Sequence, residues 1–343
     1  MPEPVIRLLE AHEAGRLVEA IRAVYGATYD VVWLYDESEV ASRISRGVLL
    51  SAIAEMDGEL VCHSGLTLHS PADRVGHAGQ AVTLPAARGH HLFTATKRFL
   101  AREAAGRRLF GMYSEATAAH PYSQRANVEL GAHESGFLLG YIPASVENSV
   151  SPGRNRRQSA ALFYLALERA PGRQAYVPAC YREVVLETIA VCELHARMAD
   201  VSRRTRVPRR STLHTSVNAV TNVAVVTATE PGTDLSEAVS DARGRLFGHG
   251  YDAVYVDLPL EVPSTGLVAD PLHRVGMSYS GVFPNPKWHG DVLRLQSVRS
   301  GTFCLADVAV ASDHGRRLLG YVVDDLGRSG HEVDQGEAAP RPA

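Results

Sequence analysis

The sequence is short of lysine, of paired cysteines and of long apolar runs, and each shortage excludes something. Only two lysines, Lys97 and Lys287, occur in 343 residues, so arginine carries almost all of the basic charge. The 35 basic and 38 acidic side chains leave a formal charge of -3. A chain this close to neutral is not a general coat for nucleic acid or for an anionic surface. The four cysteines, Cys62, Cys180, Cys192 and Cys304, stand far apart with no C-x-x-C. That spacing argues against a disulfide framework or a zinc site, and for small buried hydrophobes in a reducing, cytoplasmic setting. No run of eighteen apolar residues is present, and the opening MPEPVIRLLEAHEAG lacks the basic start, apolar middle and small-residue cleavage site of a secretion signal. A soluble, unsecreted protein is expected. What the chain does have is 45% hydrophobic and 21% charged residues, enough apolar material for real cores. Its length suits two domains of ~150 to 170 residues.

The periodicities predict a strand at 5–9 and an amphipathic helix over 11–25, from the spacing of Leu17, Val18, Ile21 and Val24. A short helix over 37–46 follows, then strands at 48–55 and 59–68 joined by Met56-Asp57-Gly58, an Asp-Gly hairpin turn. Next come a strand at 79–84 ended by Pro85, a helix at 92–105, an apolar strand at 109–116, a short helix at 122–130 closed by Gly131, and a strand at 135–141. The polar, basic stretch 145–158 marks an exposed loop before an apolar strand at 160–167. The second half reads as a long helix from 178 to about 201, an Arg-rich connector at 203–210, one or two strands over 212–229, a helix at 234–248 and a strand at 251–258. After Leu319 the tail turns polar and is expected to end in disorder. GAHESGFL at 131–138 and GMSYSGVF at 276–283 each carry two glycines five apart, after the same order of strand, helix and strand. One supersecondary plan used twice is the expectation. The corresponding units are 1–145, a loop and connecting strand at 146–178, a second unit at 179–320, and a mostly flexible tail at 321–343.

Three segments carry a family likeness. GELVCHSGLTLH (58–69), AVTLPAARGHHLFTATKRFLAREA (81–104) and YSQRANVELGAHESGFLLGY (122–141) resemble, in order, three parts of the GCN5-related N-acetyltransferase (GNAT) superfamily. These parts are its hairpin strand, its central strand with pyrophosphate loop and helix, and its late helix with Gly turn and last strands. The whole chain looks like the tandem-domain bacterial members, with 180–320 the weaker match. The resemblance implies an α/β fold of mixed α+β character: two tandem domains, each a central, mostly antiparallel sheet flanked by helices. It further implies N-acyl transfer, acetyl expected, from acetyl-CoA or another acyl-CoA to a small amine or amino-acid-derived acceptor, directly within a ternary complex. No metal, nucleic acid or membrane is implied. Carried over residue by residue, Val82, Thr83 and Leu84 would hold the pantetheine and carbonyl oxygen, and Arg88, Gly89, His90, His91 and Leu92 would receive the pyrophosphate. Ser123 and Asn127 would complete the cofactor side, while Glu115, His120 and Tyr122 are the catalytic candidates, Glu115 as base. The family loop pattern [QR]-x-x-G-x-[GA], begun at Arg88, puts His91 and Phe93 where small residues belong. Asn127 stands where many members carry a Tyr as acid toward sulfur.

The residues also admit plainer readings. A strand ending in a Gly-containing turn that opens a helix offers free N–H groups and a positive dipole end to an anion, yet 88–91 could simply be a polar connection. Glu115 could cap the next helix or pair with Arg125. Fifteen histidines include no H-E-x-x-H pair, so no catalytic metal is expected. Tyr279, Trp288, His289 and Asp291 could line a substrate cavity, or Trp288 could anchor a loop. In the second half Glu230-Pro231-Gly232-Thr233 replaces the Gly-rich turn with an acid that repels phosphate, so that half shapes the pocket or makes a homodimer rather than binding coenzyme A. Two alternatives to acyl transfer stay open: a binding or regulatory module of the same fold, and an enzyme of altered chemistry in the same cleft.

Overall fold

The computed structural model describes residues 3–146, 156–202, 204–285 and 290–330. The first half runs β1 (Val5–Leu8), α1 (Ala14–Tyr25), α2 (Glu37–Ser45), β2 (Leu49–Met56), β3 (Glu59–Thr67), β4 (Val75–Thr83), α3 (Leu92–Gly106), β5 (Gly111–Thr117), α4 (Tyr122–Glu129), β6 (His133–Ile142) and β7 (Gln158–Ala166). The second runs β8 (Arg173–Ala175), α5 (Arg182–Val191), β9 (Ala196–Met198), β10 (Thr212–Asn218), β11 (Val223–Glu230), α6 (Leu235–Gly248), β12 (Ala253–Pro259), α7 (Thr265–Val268), β13 (Ser278–Asn285), β14 (Gly290–Val298) and α8 (Asp313–Arg328). The β2–β3 hairpin turns on Asp57 and Gly58, both at positive φ (53° and 82°), as a tight Asp-Gly turn requires.

Twelve strands form one sheet in the order β1-β2-β3-β4-β5-β7-β6-β13-β14-β12-β11-β10. Its pairings are antiparallel except β4 with β5 and β11 with β12, each joined through a helix. The order β3-β4-β5-β7-β6 in the first half recurs as β10-β11-β12-β14-β13 in the second, so the plan is used twice. The two copies meet where Gly136 of β6 pairs with Gly281 of β13, the second glycines of the two matching segments. A Cβ on Gly136 would lie 2.4 Å from the Ser280 carbonyl oxygen, and one on Gly281 2.5 Å from the Gly136 Cα. Only two glycines let the backbones approach this closely. Side chains then lock the seam. Ser280 Oγ donates to the Phe137 carbonyl (3.0 Å), Leu139 N–H donates to Gln296 Oε1 (2.9 Å), and Tyr255 Oη donates to the Leu139 carbonyl (3.1 Å).

Helices cover both faces of the first-half sheet. The apolar stripe of α1 with Val40 of α2 packs on Ile53 and Val82, and Leu100 and Ala104 of α3 pack on Leu50, Leu66 and Ala78 from the other side. Over the seam lie α5 and α8, each touching both β6 and β13.

Three expectations are revised. The strand assigned to the connector, β7, lies between β5 and β6, so the first unit extends through Ala166 instead of closing at 145. Its seven leading residues are all buried, as befits a central strand. The long helix ends at Val191 because Glu193 and His195 take positive φ (51° and 53°), after which the chain enters β9. The tail does not turn flexible at 321: α8 continues to Arg328 with Val322, Asp325 and Leu326 buried. The Asp325 carboxylate accepts from Tyr279 N–H (2.6 Å) and Tyr181 Oη (3.3 Å), so a polar-looking stretch is an amphipathic helix with one internal acid. Residues 331–343 lie outside the described ones.

Gly136→Ala or Gly281→Ala is expected to destabilise the protein by about 1–3 kcal/mol through overpacking. Gly244→Ala, in α6 with open space around it, is expected to be neutral or stabilising by comparison. Urea unfolding of the three variants checks this, and equal effects at all three positions would contradict the seam.

Candidate functional site

β4 and β5 pair at only three positions, Val75–His77 against Gly111–Tyr113. Beyond these the two strands run on to Thr83 and Thr117 without bonding each other, while β4 stays on β3 and β5 stays on β7. A gap therefore opens in the sheet. A bulge at Gln80 (φ 50°) helps turn β4 away, and Tyr25 Oη, reaching over from α1, donates to the Ala81 carbonyl (3.0 Å). In the second half β11 and β12 stay paired over five positions, Val223–Thr227 against Ala253–Asp257. There the loop after β11 is tight, since a Cβ on Gly232 would sit 2.6 Å from the Arg210 backbone.

At the end of β4 the chain turns into α3. Gly89 has φ 81°, and His91, the residue preceding the helix, is left-handed at φ 56°. The sequence departs from glycine at His91, but the backbone still takes the conformation that glycine favours. The first turn of α3 carries no side-chain cap, so its N–H groups are available to an anion, with His90 and His91 exposed beside them.

Strand alternation sends neighbouring residues of β5 to opposite faces. On the face covered by α1 and α2, Glu115 Oε2 meets His77 Nε2 of β4 at 2.6 Å. Burial pushes the Glu115 carboxyl up, but the charge and hydrogen bond of His77, with the Arg294 charge, more than offset this and hold it below the ordinary carboxylate value. Burial likewise pulls His77 down, while the charge and hydrogen bond of Glu115 bring it above 6.5. Asp30, between α1 and α2, feels both groups, and burial raises its own pKa. His77 stacks on Tyr113 (5.0 Å between centroids), and Tyr113 packs on Phe283 of the second half (4.6 Å). The Arg294 guanidinium lies 4.3 Å over the Phe283 ring and grips Asp257 with two bonds of 2.7 and 2.8 Å. Both halves thus build this face.

On the α3 and α4 face, Lys97 of α3 is 6% exposed, and Asn127 of α4 is 2% exposed. Lys97 Nζ donates to Asn127 Oδ1 and lies 3.5 Å from Ser114 Oγ. Burial alone pulls the ammonium down to about 8. Asn127 Nδ2 and Ser123 Oγ, both buried atoms, have no hydrogen-bond partner.

The residues singled out from sequence divide accordingly. Glu115 pairs with His77, not Arg125, while Asn127 belongs to the opposite face. The His120 and Tyr122 rings meet at a tilt (37°, centroids 5.0 Å apart) where the chain enters α4, with Tyr122 60% exposed. Val82 is buried against α1 and α2, Leu92 packs with Cys62 and Ala87, and Thr83 Oγ1 is bonded to Cys62 Sγ (3.2 Å). Tyr279 is wholly buried and Asp291 is paired with Arg173 at 2.8 Å, so neither lines a cavity as entertained above. Trp288 and His289 lie outside the described residues. Sequence reading missed His77, Tyr113, Lys97, Asp257 and Arg294. One signal was there: Tyr113-x-Glu115 and Tyr255-x-Asp257 occupy the same register in the two copies, opposite Leu162 and Arg294. Among the described residues no group of His, Cys, Asp and Glu could hold a metal ion, and no helix is long and apolar enough to cross a membrane.

The His77–Glu115 pair sets a sign for pH. The raised His77 contributes stability in full below 6.5 and loses it as pH climbs through its folded value; the lowered Glu115 contributes above 4.5 and loses it as pH falls. Between those values the two shifts both favour the charged pair. NMR titration is expected to place His77 above 6.5 in the wild type and lower in Glu115→Gln, where burial and the Lys97 charge act against Asp30 alone. A wild-type value at or below 6.5 contradicts the pairing.

No family model and no curated protein matches the chain. Solved structures are similar to about half of it. The ribosomal-protein-S18-alanine N-acetyltransferase from Escherichia coli is 15% identical, over 49% of this chain and 97% of its own, at a TM-score of 0.39. A putative acetyltransferase from Salmonella typhimurium, solved with acetyl-CoA, is 15% identical over 50% of this chain and 98% of its own, at 0.40. A GNAT-superfamily phosphinothricin acetyltransferase from Sinorhizobium meliloti, in complex with acetyl-CoA, is 19% identical over 48% of this chain and 89% of its own, at 0.39.

Proposed function

We propose that the protein is an acyl-CoA-dependent N-acyltransferase acting on a small amine or amino-acid-derived acceptor by direct transfer. The observation that carries this reading is the parting of β4 and β5 beside the N-terminus of α3, with different chemistry on the two faces of the gap. An anion cradle of backbone N–H groups, with Arg88, His90 and His91, suits a pyrophosphate. The gap suits an extended pantetheine arm, whose amides can bond the strand edges there. Acyl-CoA supplies a thioester carbonyl that an amine can attack. On the acceptor face the His77–Glu115 pair takes the amine's proton: above its raised pKa the imidazole is the accepting site, and Glu115 stabilises the imidazolium it becomes. Phe283 and Arg294 close that face from the second half. The second gap is shut, so one cofactor site per chain is expected. A second reading, a binding or regulatory module without acyl transfer, draws on Phe93, Lys97 and Asn127, which crowd the side the cofactor would enter.

Isothermal titration with acetyl-CoA is expected to show saturable binding at one site per chain. Arg88→Ala is expected to weaken it about tenfold or more by removing a charge-assisted contact. Glu115→Gln, on the other face, is expected to leave affinity unchanged. Absence of binding at millimolar ligand overturns the reading in favour of the binding module.

A further inference from the structure

Transfer from a thioester to an amine leaves a thiolate, and among the described residues one amine is buried on the cofactor side of the gap with no carboxylate bonded to it. We propose that Lys97 is the proton donor to the departing sulfur, held in place by Asn127, a role that rests on the acyl-CoA reading above. The placement follows from strand geometry. An acyl group must cross the sheet where β4 and β5 part, just beyond His77 and Tyr113. At that level β5 presents Glu115 to the acceptor face and Ser114 to the α3 and α4 face. A sulfur arriving from the α3 side reaches the level of Ser114, whose Oγ is 3.5 Å from Lys97 Nζ. Around it stand Ala78, Met112 and Asn127, lining a small cavity with Lys97 itself.

The surroundings fit a proton donor better than a space-filling side chain. Lysine is rarely buried unless paired, and its one firm bond here is to a neutral amide oxygen. The Asn127 amide nitrogen is buried without an acceptor, leaving a donor group beside the ammonium. Both would be satisfied by an electron-rich sulfur between them. In the step, the C–S bond breaks and its electron pair remains on sulfur, to which one proton moves from Nζ. The new C–N bond takes the place of C–S at the acyl carbon, and the amine gives up one proton to the His77–Glu115 pair on the far face. Neutral Lys97 then regains a proton from solvent and the pair returns one, so the net reaction consumes and releases no proton beyond that carried from nitrogen to sulfur. A proton affinity lowered by burial suits the donor, because a group that titrates near neutral pH gives up a proton readily and recovers it quickly.

The test needs no acceptor. Coenzyme A with its free thiol, and desulfo-coenzyme A, are bound to the full chain, and the thiolate of bound coenzyme A is followed by its ultraviolet absorbance against pH. In the wild type the bound thiol is expected to titrate about 1 to 3 pH units below free coenzyme A, the effect of an ammonium within a few ångströms. In Lys97→Met and Lys97→Gln it is expected to return to or above the free value, while desulfo-coenzyme A still binds. A wild-type thiol that titrates like free coenzyme A, with desulfo-coenzyme A bound, overturns the role of Lys97 and leaves the acyl-CoA reading standing. Failure of the wild type to bind either compound overturns both.

Discussion

The close backbone approach of Gly136 against Gly281 is the constraint from which the site follows. Two side-chain-free positions let β6 and β13 pair, and that pairing fuses two five-strand copies into one sheet. With the copies fixed at this distance, Phe283 and Arg294 of the second half reach Tyr113 and, through it, His77. A Cβ at either glycine would lie 2.4–2.6 Å from the facing backbone, which would have to move. The cluster of charged and aromatic groups on the α1 and α2 face is therefore built by both copies and belongs to neither half alone.

The two copies differ in how their parallel strand pair is bonded. In the first, β4 and β5 bond at three positions and then separate; in the second, β11 and β12 remain bonded over five. The aligned acids show the same division of labour. Glu115 is tied to a histidine whose pKa it raises above the ordinary value, whereas Asp257 is tied by two bonds to Arg294, a group that stays charged at any physiological pH. One pair can exchange a proton, and the other serves as a fixed strut that also positions a cation over Phe283.

Most elements of the first half were legible because their hydrophobic periods are clean and their turns carry Asp-Gly or Gly signals, as at Asp57-Gly58 and Gly131. The paired glycines at the seam were legible as a repeat, though not as a contact, since pairing is a long-range property. The position of β7 was not legible either: an apolar strand says that it is central, not between which neighbours. The apolar stripe of α8 is masked by Asp324, Asp325 and Arg328, and Asp325 is held by Arg328 one turn on and by Tyr181 and Tyr279 from distant segments. Within the site, Glu115 stood out as a strand-end acid, while His77 lay in a stretch that reads as loop, before the predicted start of its strand. Lys97 was hidden in a helix whose pattern gave no sign that a charge points inward. The glycine-like backbone at His91 was invisible because sequence reports the side chain and not the φ angle.

On the proposed reading, coenzyme A enters the gap between β4 and β5 over the start of α3. Amide hydrogen exchange with and without saturating coenzyme A tests it most directly. Protection confined to residues 78–83, 88–97 and 114–117, with β11, β12 and α6 unchanged, is the predicted result. Protection centred on the second half, or none in the first, would contradict it.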